Sequence, residues 1–168
     1  MKVLLVLCLF TWCGFGQTSK DTKAPESLRV PADQKLLLRA QGVGDQIYTC
    51  QNGSGTYNWV LKAPDARLLS ADHQVVGRHF AGPTWEWKDK SAIVGKVEAK
   101  VPSTTTGSVP WLLLSVVVHQ GEGAMSGVST VQRLNTKGGA APASGCDEAH
   151  RDAEIHVAYQ ADYLFFGK

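Results

Sequence analysis

The chain has 168 residues, 43% of them hydrophobic and 19% charged, which is the range of an ordinary globular protein, and its length favours one domain over two. Its 17 basic side chains stand against 15 acidic ones, and Lys2 belongs to a segment expected to be removed. A balance this even supplies no field for phosphate backbones, so no nucleic acid partner is expected.

Met1-Lys2 and the apolar run Val3-Leu4-Leu5-Val6-Leu7-Cys8-Leu9-Phe10-Thr11-Trp12 have the basic start and short apolar stretch of a secretory signal peptide. The run is too short to span a bilayer, and no later stretch resembles a membrane span. Gly14 and Gly16 place the expected cleavage before Gln17, giving a signal peptide over 1–16 and a secreted or periplasmic mature chain. Residues 17–30, with Lys20, Asp21, Lys23, Pro25 and Glu26, are a polar lead-in expected to be mobile, and 31–168 form a single β domain. Loss of the leader discards Cys8 and Cys13 and leaves Cys50 and Cys146 in an oxidising compartment, where one pairing is available. Two buried free thiols are the competing arrangement.

Along the mature chain, short strands are expected at 36–38, 46–50 and 58–61, with Asn52-Gly53-Ser54-Gly55 as the turn between the last two. Asn52-Gly53-Ser54 also spells an acceptor for N-glycosylation, which matters only in a eukaryotic host. Ala63-Pro64-Asp65-Ala66 breaks the pattern before a run at 67–69, and Ala71-Asp72-His73-Gln74 connects to a strand at 75–80. The most unusual text follows: His79-Phe80-Ala81-Gly82-Pro83-Thr84-Trp85-Glu86-Trp87-Lys88-Asp89-Lys90-Ser91.

Residues 93–101 alternate, with Val97, Ala99 and Val101 on one side and Lys96, Glu98 and Lys100 on the other, as in a half-exposed strand. After a loop over 102–108, residues 111–118 are apolar on both faces and read as a central strand buried on both sides, with a buried helix, limited by Gly121 and Gly123, as the competing assignment. A strand at 128–134 leads to the loop 135–142, which Cys146 would pin back towards Cys50. The period of two is clearest over 155–166, where Ile155, Val157, Tyr159, Ala161, Tyr163 and Phe165 share one face. About nine or ten short strands with frequent turns imply an all-β fold, an antiparallel sandwich or barrel.

The order of these motifs resembles DUF3455, a family of uncharacterised secreted proteins of bacteria and fungi. The matching text is Gln46-Ile47-Tyr48-Thr49-Cys50, Trp59 with Ala63-Pro64, residues 79–86 of the unusual stretch, Pro110-Trp111-Leu112-Leu113-Leu114, residues 131–139, Gly145-Cys146-Asp147 and Tyr159-Gln160-Ala161-Asp162-Tyr163. The resemblance implies export and the two matching cysteines, and carries no activity with it. One departure stands out: the family's Asp-Gly-Ser appears here as Asp89-Lys90-Ser91, where lysine does not reach positive φ cheaply.

Three chemistries can be drawn from the residues. Hydrolysis by Glu86 with His79 or Asp89 would need the carboxyls about 5 to 10 Å apart. An extended 84–88 instead sets Glu86 opposite Trp85 and Trp87, and Glu86 then pairs with Lys88 or Arg78 on a wet face. For metal binding, His73 and His79 are six residues apart without a recognised ligand spacing, so neither metal nor cofactor is assigned. Stacking of a ligand on Trp85, with His79, Gln132, Arg133 and Asn135 supplying donors and acceptors, would suit a polar ligand such as a glycan.

Tryptophans of small β domains also fill cores, the competing assignment for Trp59, Trp87 and Trp111. For Trp85, beside Gly82-Pro83, burial and exposure are both open. The leading expectation is a non-catalytic binding or envelope-associated module. Its alternative is a small secreted hydrolase using Glu86 with His79 or Asp89. The oligomeric state is not legible.

Overall fold

A computed structural model of the protein describes residues 24–168; the expected signal peptide lies outside them, as does the first part of the lead-in. Eight strands follow in chain order: β1 (Lys35–Gly53), β2 (Thr56–Leu69), β3 (Val75–Phe80), β4 (Thr84–Trp87), β5 (Ala92–Val101), β6 (Trp111–Gln120), β7 (Val128–Gly138) and β8 (Glu154–Gly167). Each pairs antiparallel with the next, and β8 returns to β1, so the sheet closes into a barrel.

Eight strands stand where nine or ten were expected, because residues that read as breaks are absorbed into long strands. Gly42 and Gly44 lie inside β1, which joins the runs at 36–38 and 46–50. Gly42 sits under an aromatic ring: a Cβ there would come within 2.6 Å of Tyr163. Gly95 of β5 likewise makes room for Trp85, whose Cζ3 would lie 2.9 Å from an added Cβ. Alternating small and large residues is how a narrow barrel fits bulky side chains inside.

Pro64 lies inside β2, which joins the runs at 58–61 and 67–69. It is tolerated because β2 pairs with β3 only from Ala66 onward, so residues 56–65 have β1 as their sole partner. A proline fits a strand where no ladder hydrogen bond is required of it.

The β3–β4 hairpin is short, at six and four residues, while its flanking strands are long. Beyond its turn at 81–83, residues 56–65 of β2 and 96–101 of β5 face one another without a strand between them. The barrel wall therefore has an opening there, with the Gly82-Pro83 turn above it.

Two cores result. The inner one gathers Leu68, Trp85, Ile93, Leu114, Val131, Tyr163 and Phe165 inside the barrel. The outer one packs Leu28, Trp111 and Leu134 with Ala99, Val101, Leu113 and Leu164 on the outside of β5 to β8. Leu28 is carried by a single 3-10 turn, Glu26–Leu28, in the segment expected as a mobile lead-in, and it is fully buried.

This layer gives the first half of β6 two covered faces, as its apolar text predicts. The second half departs from that expectation, since Val117 and Val118 are exposed where β6 pairs with β5 alone. In β5 a register shift between Val97 and Ala99 sends Val97 to the opening and Ala99 under Leu28, which breaks the alternation expected there.

The Cys50–Cys146 disulfide ties the loop after β7 to the end of β1, with Cα atoms 5.3 Å apart. Closing a loop of this length stabilises a fold by up to about 4 to 5 kcal/mol in the chain-entropy model. Trp59 is half-buried beside the same loop and donates through Nε1 to Ser144 O at 2.9 Å.

Candidate functional site

Strand register decides the faces of the unusual stretch. His79 pairs with Trp85 and Arg78 with Glu86, and directly opposed residues share a face. His79 and Trp85 point into the barrel, whereas Arg78 and Glu86 point out. The expected face-sharing of Trp85 and Trp87 is present, since both rings meet Phe165 edge-on.

That shared face is the inside. Trp85 is 1% exposed and stacks on His79 at 4.6 Å between ring centroids, with 10° between the planes. An external platform for a stacked sugar is therefore not built from Trp85, because the apolar side of a strand in a closed barrel is consumed by the core.

His79 is equally enclosed. Its Nδ1 lies 2.8 Å from Thr84 O, and a carbonyl can only accept, so Nδ1 carries the hydrogen. Burial pushes its pKa down to about 3, opposed by the bond to Thr84 and reinforced by the charge of Arg133. The ring is neutral at ordinary pH and has no contact with Glu86. His73 lies outside the strands, in the exposed β2–β3 turn at positive φ, so the two histidines do not share one side.

Both carboxylates of the hydrolase alternative are occupied, by different partners. Glu86 receives Arg78 Nε and Nη2 at 3.2 and 3.1 Å and Lys90 Nζ at 3.3 Å. Arg78 is the partner expected; Lys90 replaces Lys88. These bonds, Arg78 foremost, hold the Glu86 carboxyl below its usual range.

Asp89 accepts from Ser91 N and Oγ through Oδ1 and from Ala124 N through Oδ2, which fastens the β4–β5 hairpin to the loop after β6. Its carboxyl is also held low, chiefly by Ser91. A general acid needs a raised pKa and a facing base, and neither residue has that setting.

The remaining candidates are separated by parity along β7. Gln132 points outward and donates through Nε2 to Leu28 O at 2.6 Å, a structural bond to the outer layer. Asn135, at positive φ in the irregular stretch between Leu134 and Lys137, donates to Asp162 Oδ2 at 2.8 Å. Arg133, paired across the sheet with Leu112 and Tyr163, points inward.

Arg133 is the residue that the structure makes unusual. It is 9% exposed, and its Nε and Nη2 both donate to Pro110 O, at 3.2 and 2.9 Å. Asp162, a conceivable counter-ion, is engaged by Asn135 instead. Among the described residues no carboxylate forms an ion pair with Arg133. A buried cation without a counter-charge is costly.

Arg133 faces a cavity of about 380 Å³ behind the opening between β2 and β5, under Gly82 and Pro83. Gln46, from β1, shares that space and is 1% exposed. Its Nε2 makes no hydrogen bond of ordinary geometry; the nearest acceptor it faces is the Tyr159 hydroxyl, on which it has only a minor effect beside that of burial.

Tyr159 and Tyr163 are buried next to Gln46 and Arg133 without lining the cavity, their hydroxyls 3.1 Å apart, and burial holds both phenols above their usual range. A larger groove of about 580 Å³ crosses β1, β7 and β8, but among the described residues Lys137 is the one charged side chain lining it and no orphaned buried polar atom belongs to its wall.

Of the residues picked from the sequence, the cavity thus assembles Arg133 with the Gly82-Pro83 turn, and excludes Trp85, Gln132 and Asn135. Gln46 was missed. The signal was present in Gln46-Ile47-Tyr48-Thr49-Cys50, where a glutamine holds the same parity as Tyr48 and Cys50, both buried.

A family model described as "Protein of unknown function (DUF3455)" matches residues 31–167. The chain belongs to the DUF3455 family. No curated protein and no solved structure matches it. In this DUF3455 chain, among the described residues, no group of three or more His, Cys, Asp or Glu is gathered for a metal ion, and no helix is long and apolar enough to cross a membrane.

Proposed function

We propose that this protein is an exported, non-catalytic binding module that takes a small polar-headed ligand through the opening between β2 and β5. The observation that carries it is the pairing of Arg133 and Gln46, two buried polar side chains aimed into one cavity with donors to spare. Concave, mostly apolar spaces with a few convergent polar groups are the usual form of small-molecule sites.

Export is supported by the Cys50–Cys146 bridge, which suits an oxidising compartment. A carbohydrate was the ligand expected from an exposed Trp85. With that ring inside the core, the cavity favours a ligand with a smaller polar head and an apolar body.

A thermal-shift screen of the mature protein against small metabolites tests this reading, run beside Val97→Trp. Val97 is 46% exposed at the rim, so a larger ring there should block the opening with little change in the melting temperature of the free protein. Ligands should raise the melting temperature of the parent and lose the effect in the variant. Hits that shift both proteins equally, or no hits at all, would sink the proposal. Export is checked by N-terminal sequencing of the native protein, where an intact Met1 would refute it.

A further inference from the structure

Resting on that binding reading, we infer that the ligand is a small apolar monocarboxylic acid, its carboxylate paired with Arg133 and accepting from Gln46 Nε2. Its body would lie between Leu61, Pro64, Pro83, Val97 and Leu112, which with Ala63 form the apolar part of the cavity wall.

The charge balance points to an anion. A guanidinium has five N–H donors in a planar fork; Pro110 O takes one bond from each of two nitrogens and a third donor faces the Tyr163 hydroxyl, which leaves two donors and a full positive charge. Among the described residues, none inside supplies the missing negative charge. Gln46 is neutral, the Tyr159 and Tyr163 phenols are held protonated by burial, and His79 beside them stays uncharged. The nearest lysine on the rim, Lys62, is engaged with Glu154. The compensating charge therefore arrives with the ligand.

Its number and shape follow. One cation and one neutral amide suit a monoanion, whereas a phosphate dianion would bring a second buried charge without a partner. A planar carboxylate matches the guanidinium fork. Leu61 is 51% exposed and Val97 46%, so the entrance offers apolar surface to water, which favours a hydrocarbon body over a sugar.

Calorimetric titration of the full mature protein with octanoate and benzoate, beside octan-1-ol, benzyl alcohol and sodium chloride, tests this inference. At least one acid should bind about tenfold more tightly than its alcohol. Arg133→Met should lose at least about tenfold of that affinity while keeping the far-UV spectrum of the parent. Gln46→Leu should weaken binding several-fold, and serves as the second variant if Arg133→Met fails to fold.

Equal binding of acid and alcohol, unchanged in both variants, overturns the carboxylate assignment and leaves the binding module standing. Saturation by chloride alone overturns the apolar-acid class. Absence of binding by either acid overturns the inference, and if the metabolite screen is also empty the binding module falls with it.

Discussion

The two ends of the barrel interior are built on the same strands and follow opposite rules. Around Trp85 the space is filled by Leu68, Ile93, Leu114, Val131 and Phe165, all fully buried or nearly so. Two positions along β6, β7 and β8 the same inward parity presents Leu112, Arg133 and Tyr163, and β1 adds Gln46. The cause is strand length. Where β3 and β4 complete the wall, apolar surface is shielded and close packing is available. Where they stop, the wall is left open and polar side chains line the space behind it. A short hairpin, rather than any special strand, divides the molecule into a dry end and an open one.

The sharpest way to break this comparison is to cut side chains from each end. Trp85→Ala removes the largest side chain of the dry end and should destabilise by about 3 to 5 kcal/mol in urea unfolding, since the packed neighbours cannot collapse into the void. Leu112→Ala, beside the cavity, should cost about 2 kcal/mol, at the low end for its type. Equal losses would mean that the two ends do not differ in packing.

Acid titration probes the boundary between the ends, where His79 lies. Its folded pKa of about 3 stands against an ordinary 6.5. Above 6.5 the ring is neutral in both states and contributes no pH dependence. Below it the unfolded chain takes up a proton that the folded chain refuses, so stability falls as pH drops towards 3, by up to about 1.4 kcal/mol per pH unit. His79→Phe should flatten the unfolding midpoints between pH 6.5 and about 5, above the range in which Glu86 and Asp89, held low in the folded chain by their partners, take up protons in the unfolded one. A parent protein with no slope in that window would show that His79 is not shut away from water.

At the open end the expected change has the other sign. Arg133→Met removes a buried charge without a counter-ion, and although Pro110 O loses its donors, the free protein should be as stable as the parent or about 1 kcal/mol more so. A loss of several kcal/mol on chemical unfolding would make Arg133 a structural residue and not a binding one.

Much of this division was written in the chain, though not its direction. The alternation of β8 and the parity that sets Glu86 against Trp85 and Trp87 are local properties, and both were legible. Which side of the β4 alternation faces the core is a tertiary fact, so the aromatic side could be read as a platform. Gly42, Gly44 and Pro64 looked like strand ends because their usual cost assumes a neighbour on both sides and no ring to accommodate. Gln132, Arg133 and Asn135 stood together as one polar cluster. Period two sends Gln132 to the outer layer and Arg133 to the cavity, and the irregular stretch past Leu134 turns Asn135 to Asp162. Leu28 was hidden in polar text because one apolar residue has no period.

The smallest expected effect lies on the dry end's own hairpin. Lys90 takes φ 72°, and its backbone N donates to Trp87 O at 2.9 Å, so the tight turn between β4 and β5 keeps the left-handed geometry that glycine adopts freely. An L-residue held there costs about 1 kcal/mol, and lysine offsets part of it through its exposed contact with Glu86. Glycine relieves the strain but enlarges the conformational entropy of the unfolded chain. The balance predicts that Lys90→Gly stabilises by about 0.5 kcal/mol, read as a small rise in the urea midpoint at unchanged slope. Glu86 would keep Arg78, so the gain should persist in high salt, where the Lys90 contact is screened in the parent. A lower midpoint in the variant would show that the ion pair, and not the backbone, holds this turn.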